Sequence, residues 1–145
     1  MDIVKFLKIN NIKATAQRVV IAELLYNHRH LNIDEIYKRT VKQFPTISLS
    51  TVYKNVNTML ELGILQELTV PNQKPRYELN ESAHAHLICT TCGKIKDIDM
   101  DTDKVLNALD LNIEKRDDLK VEELSISLFV KNIKDHDNCC AFNTK

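Results

Sequence analysis

The sequence predicts an α+β chain of two modules, residues 1–80 and 81–145, and three observations carry that prediction. Helical stretches followed by two short strands fill the first module. Strand-like runs around one weak helix fill the second. The formal charge, zero over 145 residues, changes sign between them: residues 1–80 carry 11 Lys/Arg against 7 Asp/Glu, and residues 81–145 carry 9 against 13. A basic half beside an acidic one points to two jobs, one of them contact with a polyanion. With 43% hydrophobic and 28% charged residues, the chain can bury a core. Two Gly and three Pro leave no Gly-rich nucleotide loop of the G-x-G-x-x-G or P-loop type. No apolar run approaches about 18 residues, and Met1-Asp2-Ile3-Val4-Lys5 lacks the basic-then-apolar layout of a signal peptide. The expectation is a cytoplasmic protein.

Taken in order, Thr15 is the N-cap of a helix carrying Ala16, Val19, Val20, Leu24 and Leu25 at helical spacing. A second helix begins at Asn32, with Glu35 in capping-box position and Ile33, Ile36, Tyr37, Val41 and Phe44 as its stripe; Pro45 ends it. Ser48 caps a third helix over residues 49–62, stopped by Gly63. On it Leu49, Val52, Val56, Met59 and Leu60 share one face, while Ser50, Thr51, Lys54, Asn55, Asn57 and Thr58 take the other and Tyr53 the border. Such a polar face is either plain solvated surface or a set of groups for phosphates and base edges. Strand-like segments 64–70 and 76–79 follow, and helix, helix, hairpin is the order of a winged helix-turn-helix, which favours the second reading. Lys74 and Arg76 of the hairpin are placed to reach phosphates.

Beyond Asn80 the strand-like runs are 86–89, 94–99 and 124–130, with a weak helix at 102–109. Alternating Leu124, Ile126, Leu128 and Val130 read as a half-buried strand, or as one pairing across a subunit interface. Apolar residues are few for the length, so this module needs a partner or a metal.

HAHLICTTCGK packs four potential ligands into nine residues: His84, His86, Cys89 and Cys92. In a strand, His84 and His86 point to one face. Cys89-Thr-Thr-Cys92-Gly93 reads as one arm of a structural zinc site, with a redox pair or unengaged thiols as alternatives. The tail offers the second arm in His136-Asp137-Asn138-Cys139-Cys140; the expected ligands are Cys89, Cys92, Cys139 and either His136 or Cys140. A zinc deaminase needs H-x-E and P-C-x-x-C, and neither occurs. Nothing else resembles a nucleophile–base pair, so no enzyme is expected.

The winged-helix order followed by H-x-H-x2-C-x2-C-G-K-I resembles the ferric uptake regulator family, from about Lys5 to Lys131. PTISLSTVYKNVNTMLELGIL is similar to that family's recognition-helix region, and HAHLICTTCGKIKDI to its metal-binding segment. The resemblance implies a dimeric, metal-dependent transcriptional repressor, with a DNA-binding domain at 1–80, an α/β metal-binding dimerisation domain at 81–145, and a double-stranded inverted-repeat operator as partner. It implies a regulatory Fe²⁺ or Mn²⁺ held by His30, Glu78, His84, His86 and Asp97, apart from a structural Zn²⁺. It also implies that Tyr53 contacts a base, and that Lys13, Arg18, Ser50, Thr51, Lys54 and Asn55 contact phosphates or base edges.

Asp97, NIDEIY and ISLSTVYKN resemble the peroxide-sensing members, in which iron promotes oxidation of a ligand histidine, here His30 or His84, to 2-oxo-histidine. Two features depart from that pattern: Glu78 stands where peroxide sensors have Asp, and a gapless match puts Ile133 and His136 where the family has its second C-x2-C. The alternatives are an iron-responsive repressor of iron uptake, or a metal-handling or thiol-redox protein that never touches DNA.

Overall fold

A computed structural model describes residues 1–109 and 124–131. The chain divides into two compact units, with the boundary between Glu81 and Ser82. The first runs α1 (Ile3–Ile9), α2 (Ala16–His28), α3 (Ile33–Thr40), α4 (Leu49–Glu61), β1 (Leu65–Leu68) and β2 (Arg76–Leu79). The second runs β3 (His84–Cys89), β4 (Ile95–Asp99), α5 (Thr102–Ala108) and β5 (Ile126–Val130).

Helix starts in the first unit are written in local chemistry. Thr15 accepts the Arg18 N–H at 3.4 Å and Ser48 accepts the Thr51 N–H at 3.1 Å. Asn32 and Glu35 form the reciprocal box, at 3.0 Å from the Glu35 N–H to Asn32 Oδ1 and 2.9 Å from the Asn32 N–H to Glu35 Oε2. At the end of α4, Gly63 N–H bonds the Leu60 carbonyl and Ile64 N–H the Met59 carbonyl, both at 2.9 Å. This double closure needs φ of +66° at Gly63. Nothing lies within 4 Å of where a Cβ would stand, so backbone angle alone calls for glycine.

Three features differ from the sequence reading. Helix α1 was not expected; it forms because Ile3 and Leu7, one turn apart, both bury and Asp2 caps it, but seven residues are too few to display a period. Asn55, assigned to the free polar face of α4, is buried. It stands three residues after Val52 and four before Met59, on the core side, and polarity misplaced it where angle would not. Its Oδ1 accepts from Arg18 Nε at 3.1 Å and its amide donates to the Thr51 carbonyl at 2.9 Å, which ties α4 to α2. Leu49, assigned to the apolar face, is exposed at the first helical position.

The core of this unit gathers Leu7, Ile21, Leu25, Ile36, Val52, Val56, Met59 and Ile64, all essentially solvent-free. Strands β1 and β2 pair antiparallel, with Leu65 opposite Leu79, Gln66 opposite Glu78, Glu67 opposite Tyr77 and Leu68 opposite Arg76. Leu31 adds a single bridge to Tyr77, with N–H···O bonds of 2.8 and 3.2 Å.

Tyr77 is buried. Burial first, then the Glu67 carboxylate, push its phenol from 10.0 up to about 12. Above pH 10 the unfolded phenol ionises before the folded one, so this contribution to stability is complete below pH 10 and is lost between pH 10 and about 12. Urea unfolding of wild type and Tyr77→Phe across that window is expected to show the steeper alkaline decline in wild type only.

In the second unit the described strands order β4-β3-β5: β3 pairs antiparallel with β4 and parallel with β5. The central strand therefore carries both histidines and one cysteine of HAHLIC. Its buried residues include Ala85, His86, Ile88 and Cys89, whereas Leu128 and Phe129 of β5 are about half exposed. Among the described residues, no helix is long and apolar enough to cross a membrane.

Candidate metal centre

In the first unit, His30 follows α2 by two residues. Arg29 between them has φ +50° and ψ −130°, a conformation that costs a residue with a side chain about 1–3 kcal/mol. That reversal brings Leu31 onto Tyr77 and His30 beside the next residue of β2, Glu78. His30 Nε2 and Glu78 Oε2 are 2.8 Å apart, and Glu78 is almost wholly buried. Gln66, opposite Glu78, donates its amide N–H to the other carboxylate oxygen, Oε1.

In the second unit, strand alternation puts His84 and His86 on one side of β3, with ring centroids 4.5 Å apart. Register places Asp97 of β4 directly across from His86. Both imidazole Nε2 atoms lie 3.9 Å from Asp97 Oδ1, too far for hydrogen bonds. His84 Nδ1 stands 2.8 Å from the Ser82 carbonyl. A carbonyl only accepts, so Nδ1 carries a proton, which leaves Nε2 as the ring atom on the Asp97 side that can serve as a ligand.

These distances suit a divalent cation. With bonds of about 2.1 Å, neighbouring octahedral ligands stand about 3.0 Å apart and opposite ones about 4.2 Å. The His30–Glu78 separation matches a neighbouring pair, and the two separations around Asp97 fall between the limits. Imidazole nitrogens with carboxylate oxygens are the donors that Fe²⁺ and Mn²⁺ accept.

The cysteine arm closes as a tight turn. Gly93, at φ +71°, returns its N–H to the Cys89 carbonyl at 2.9 Å, and the Thr91 N–H points at Cys89 Sγ at 3.4 Å. N–H groups aimed at sulfur favour the thiolate that zinc takes. His136, Cys139 and Cys140 lie outside the described residues.

Of the residues expected to meet nucleic acid, Lys13, Ser50, Tyr53 and Lys54 are exposed and Thr51 is half-buried. Arg18 and Asn55 hold each other between α2 and α4, with Arg18 Nη1 also on the Lys13 carbonyl at 3.2 Å. Lys74 bonds Asp34, and Arg76 bonds the His30 carbonyl at 2.8 Å and Glu35 at 3.3 Å. The two hairpin cations are thus engaged with the first unit's own groups. Sequence reasoning missed Gln66; only the hairpin register could have revealed it.

The sequence pattern of the Ferric uptake regulator family matches residues 9–129. A Peroxide-responsive repressor PerR of Staphylococcus aureus is 39% identical over 87 residues, an alignment spanning 59% of this chain and 59% of that protein. The Campylobacter jejuni peroxide stress regulator is similar in structure, with a TM-score of 0.71 and 41% identity over 92% of this chain and 98% of that one. A Ferric uptake regulator from Francisella tularensis, solved with iron, gives a TM-score of 0.64 and 26% identity over 84% and 92% of the two chains.

Proposed function

The chain belongs to the ferric uptake regulator family, and on that premise we propose that it is a metal-dependent transcriptional repressor that senses hydrogen peroxide. One Fe²⁺ or Mn²⁺ is held by His30, Glu78, His84, His86 and Asp97, and a Zn²⁺ by Cys89, Cys92, Cys139 and either His136 or Cys140. The observation that carries the reading is the donor chemistry on either side of the Glu81–Ser82 junction: an imidazole against a buried carboxylate before it, two imidazoles around one carboxylate after it. A cation bound by both sets stabilises the single arrangement of the units that satisfies them, and shifts the population toward it.

Two copies in that arrangement present two α4 helices to successive major grooves of double-stranded DNA, with half-sites about 10 base pairs apart. Tyr53 and Lys54, exposed on α4, reach base edges and phosphates, together with Ser50, Thr51 and Lys13. Arg18 and Asn55 hold α4 against α2 at the correct angle. Half-exposed Leu128 and Phe129 on β5 supply apolar area for the homodimer.

When bound, Fe²⁺ would supply the one-electron chemistry that activates peroxide, as a catalyst that is returned to its starting state, while peroxide itself is the oxidant of the ring. The histidine ligands record the event: one peroxide oxygen is inserted at a ring C–H, the other leaves as water, and the resulting 2-oxo-histidine is a poor ligand. His30 or His84 is the residue expected to be modified, as the resemblance to peroxide-sensing members implies. Two of the similar proteins are named for a response to peroxide, one a peroxide-responsive repressor and the other a peroxide stress regulator.

Peroxide treatment of the Fe²⁺ and Mn²⁺ forms, with peptide mass spectrometry and operator binding, tests the reading. The expected result is one added oxygen on His30 or His84 and loss of DNA binding in the iron form alone. An iron form that gains no oxygen there and keeps its operator would make the protein an iron-responsive repressor. Absence of any metal-dependent DNA binding would leave the metal-handling reading.

A further inference from the structure

We infer that Gln66 and Arg76, both on the β1–β2 hairpin, are positioning residues for the regulatory metal, so that the hairpin sets how tightly the ion is held. The inference rests on the proposed ligation by Glu78 and His30. A glutamate has three rotatable side-chain bonds, and burial alone does not choose which oxygen faces His30. Gln66 makes that choice. It stands directly across the ladder from Glu78 on the same face, and its amide occupies Oε1, which turns Oε2 toward His30 Nε2 at 2.8 Å. A neutral amide fixes the carboxylate without cancelling the negative charge that a cation requires. A lysine there would do the reverse.

Arg76 performs the matching task on the main chain. Its Nη1 spans the His30 carbonyl at 2.8 Å and Glu35 Oε2 at 3.3 Å. Glu35 Oε2 also takes the Asn32 N–H, at 2.9 Å, that caps α3. The guanidinium therefore clamps the His30 backbone to the start of α3 from one side, while the Leu31–Tyr77 bridge holds it from the other. The two N–H bonds of Nη1 lie in the rigid guanidinium plane and meet the two acceptors from fixed directions; the N–H bonds of an ammonium rotate freely on a shorter stem and hold both less rigidly. Supporting groups of this kind typically change metal affinity about 10- to 100-fold.

The test measures Mn²⁺ affinity by calorimetry and the Mn²⁺ electron paramagnetic resonance spectrum on the full chain. Gln66→Met keeps the length and removes the donor. Arg76→Lys keeps the charge and removes the planar N–H pair of Nη1. Glu78→Ala and His30→Ala are measured alongside, and the metal-free melting temperature is taken for all. Both positioning variants are expected to bind Mn²⁺ about tenfold more weakly or worse, with an altered spectrum and an unchanged metal-free melting temperature. Wild-type affinity in both, while Glu78→Ala binds poorly, would overturn the inference and leave the ligand set standing. Wild-type affinity in Glu78→Ala and His30→Ala would remove the ligand set and the inference with it. Weaker binding that appears only together with early melting of the metal-free chain would reduce both residues to ordinary structural support, and so overturn it too.

Discussion

Replacing His86 by alanine is expected to weaken Mn²⁺ binding by at least about 100-fold, beyond the range for supporting groups, and to abolish metal-dependent operator binding. His86 is the centre of its sheet: it lies on β3 with Asp97 across one edge and Ser127 across the other, and it is 1% exposed. Burial strips water from an imidazole's polar atoms, and a metal bond is one interaction that offsets that cost. The effect reaches DNA through populations. Moving a two-state equilibrium from 1:99 to 99:1 takes about 10⁴-fold preferential binding to one state, and a site that has lost 100-fold of its affinity no longer supplies it. At a Mn²⁺ concentration 100 times the wild-type Kd, bound metal adds about 2.7 kcal/mol of stability, so the mutant should also lose most of its metal-induced rise in melting temperature. His28→Ala is the control. That histidine is exposed, with Nε2 3.1 Å from Arg39 Nη1, and its loss should change neither measurement. Wild-type Mn²⁺ affinity in His86→Ala would sink the regulatory-site assignment.

What could be read from the sequence was what neighbouring residues decide among themselves. Thr15, Asn32 with Glu35, and Ser48 cap helices because a side-chain oxygen meets an N–H three residues on, and Gly63 ends α4 because only its own φ matters. The winged-helix order and the two-residue spacing of His84 and His86 were equally local. Non-local facts were not legible. That β3 lies between an antiparallel β4 and a parallel β5 depends on a crossover that strand propensity does not encode. Arg76 read as a phosphate contact, since a sequence displays its charge but not the Glu35 carboxylate and His30 carbonyl that engage it. Asn55 read as surface because polarity outweighed its angular position. Gln66 carried no signal at all until β1 and β2 were in register.

Truncating Ile36 to alanine is expected to cost the first unit about 2–5 kcal/mol, a large part of the 5–15 kcal/mol typical of a domain. Helix α3 has eight residues, fewer than the 12–15 or so that an isolated helix needs in water, so it persists by burying Ile33 and Ile36 in the shared cluster. Ile36 is solvent-free, and the removed carbons leave a void in the cluster that α3 shares with α2 and α4. The consequence extends beyond stability, because the same helix begins at Asn32 and Glu35, the anchor for Arg76 and thereby for the His30 backbone. Folded Ile36→Ala protein should therefore bind Mn²⁺ more weakly than wild type, although no ligand has changed. Lys38→Ala, on the exposed side of the same helix, should shift stability by less than about 0.5 kcal/mol. Urea unfolding followed by helical circular dichroism separates the two variants. A cost below about 1 kcal/mol for Ile36→Ala would mean that the cluster collapses around the void, and that α3 is held by its caps instead of its buried face.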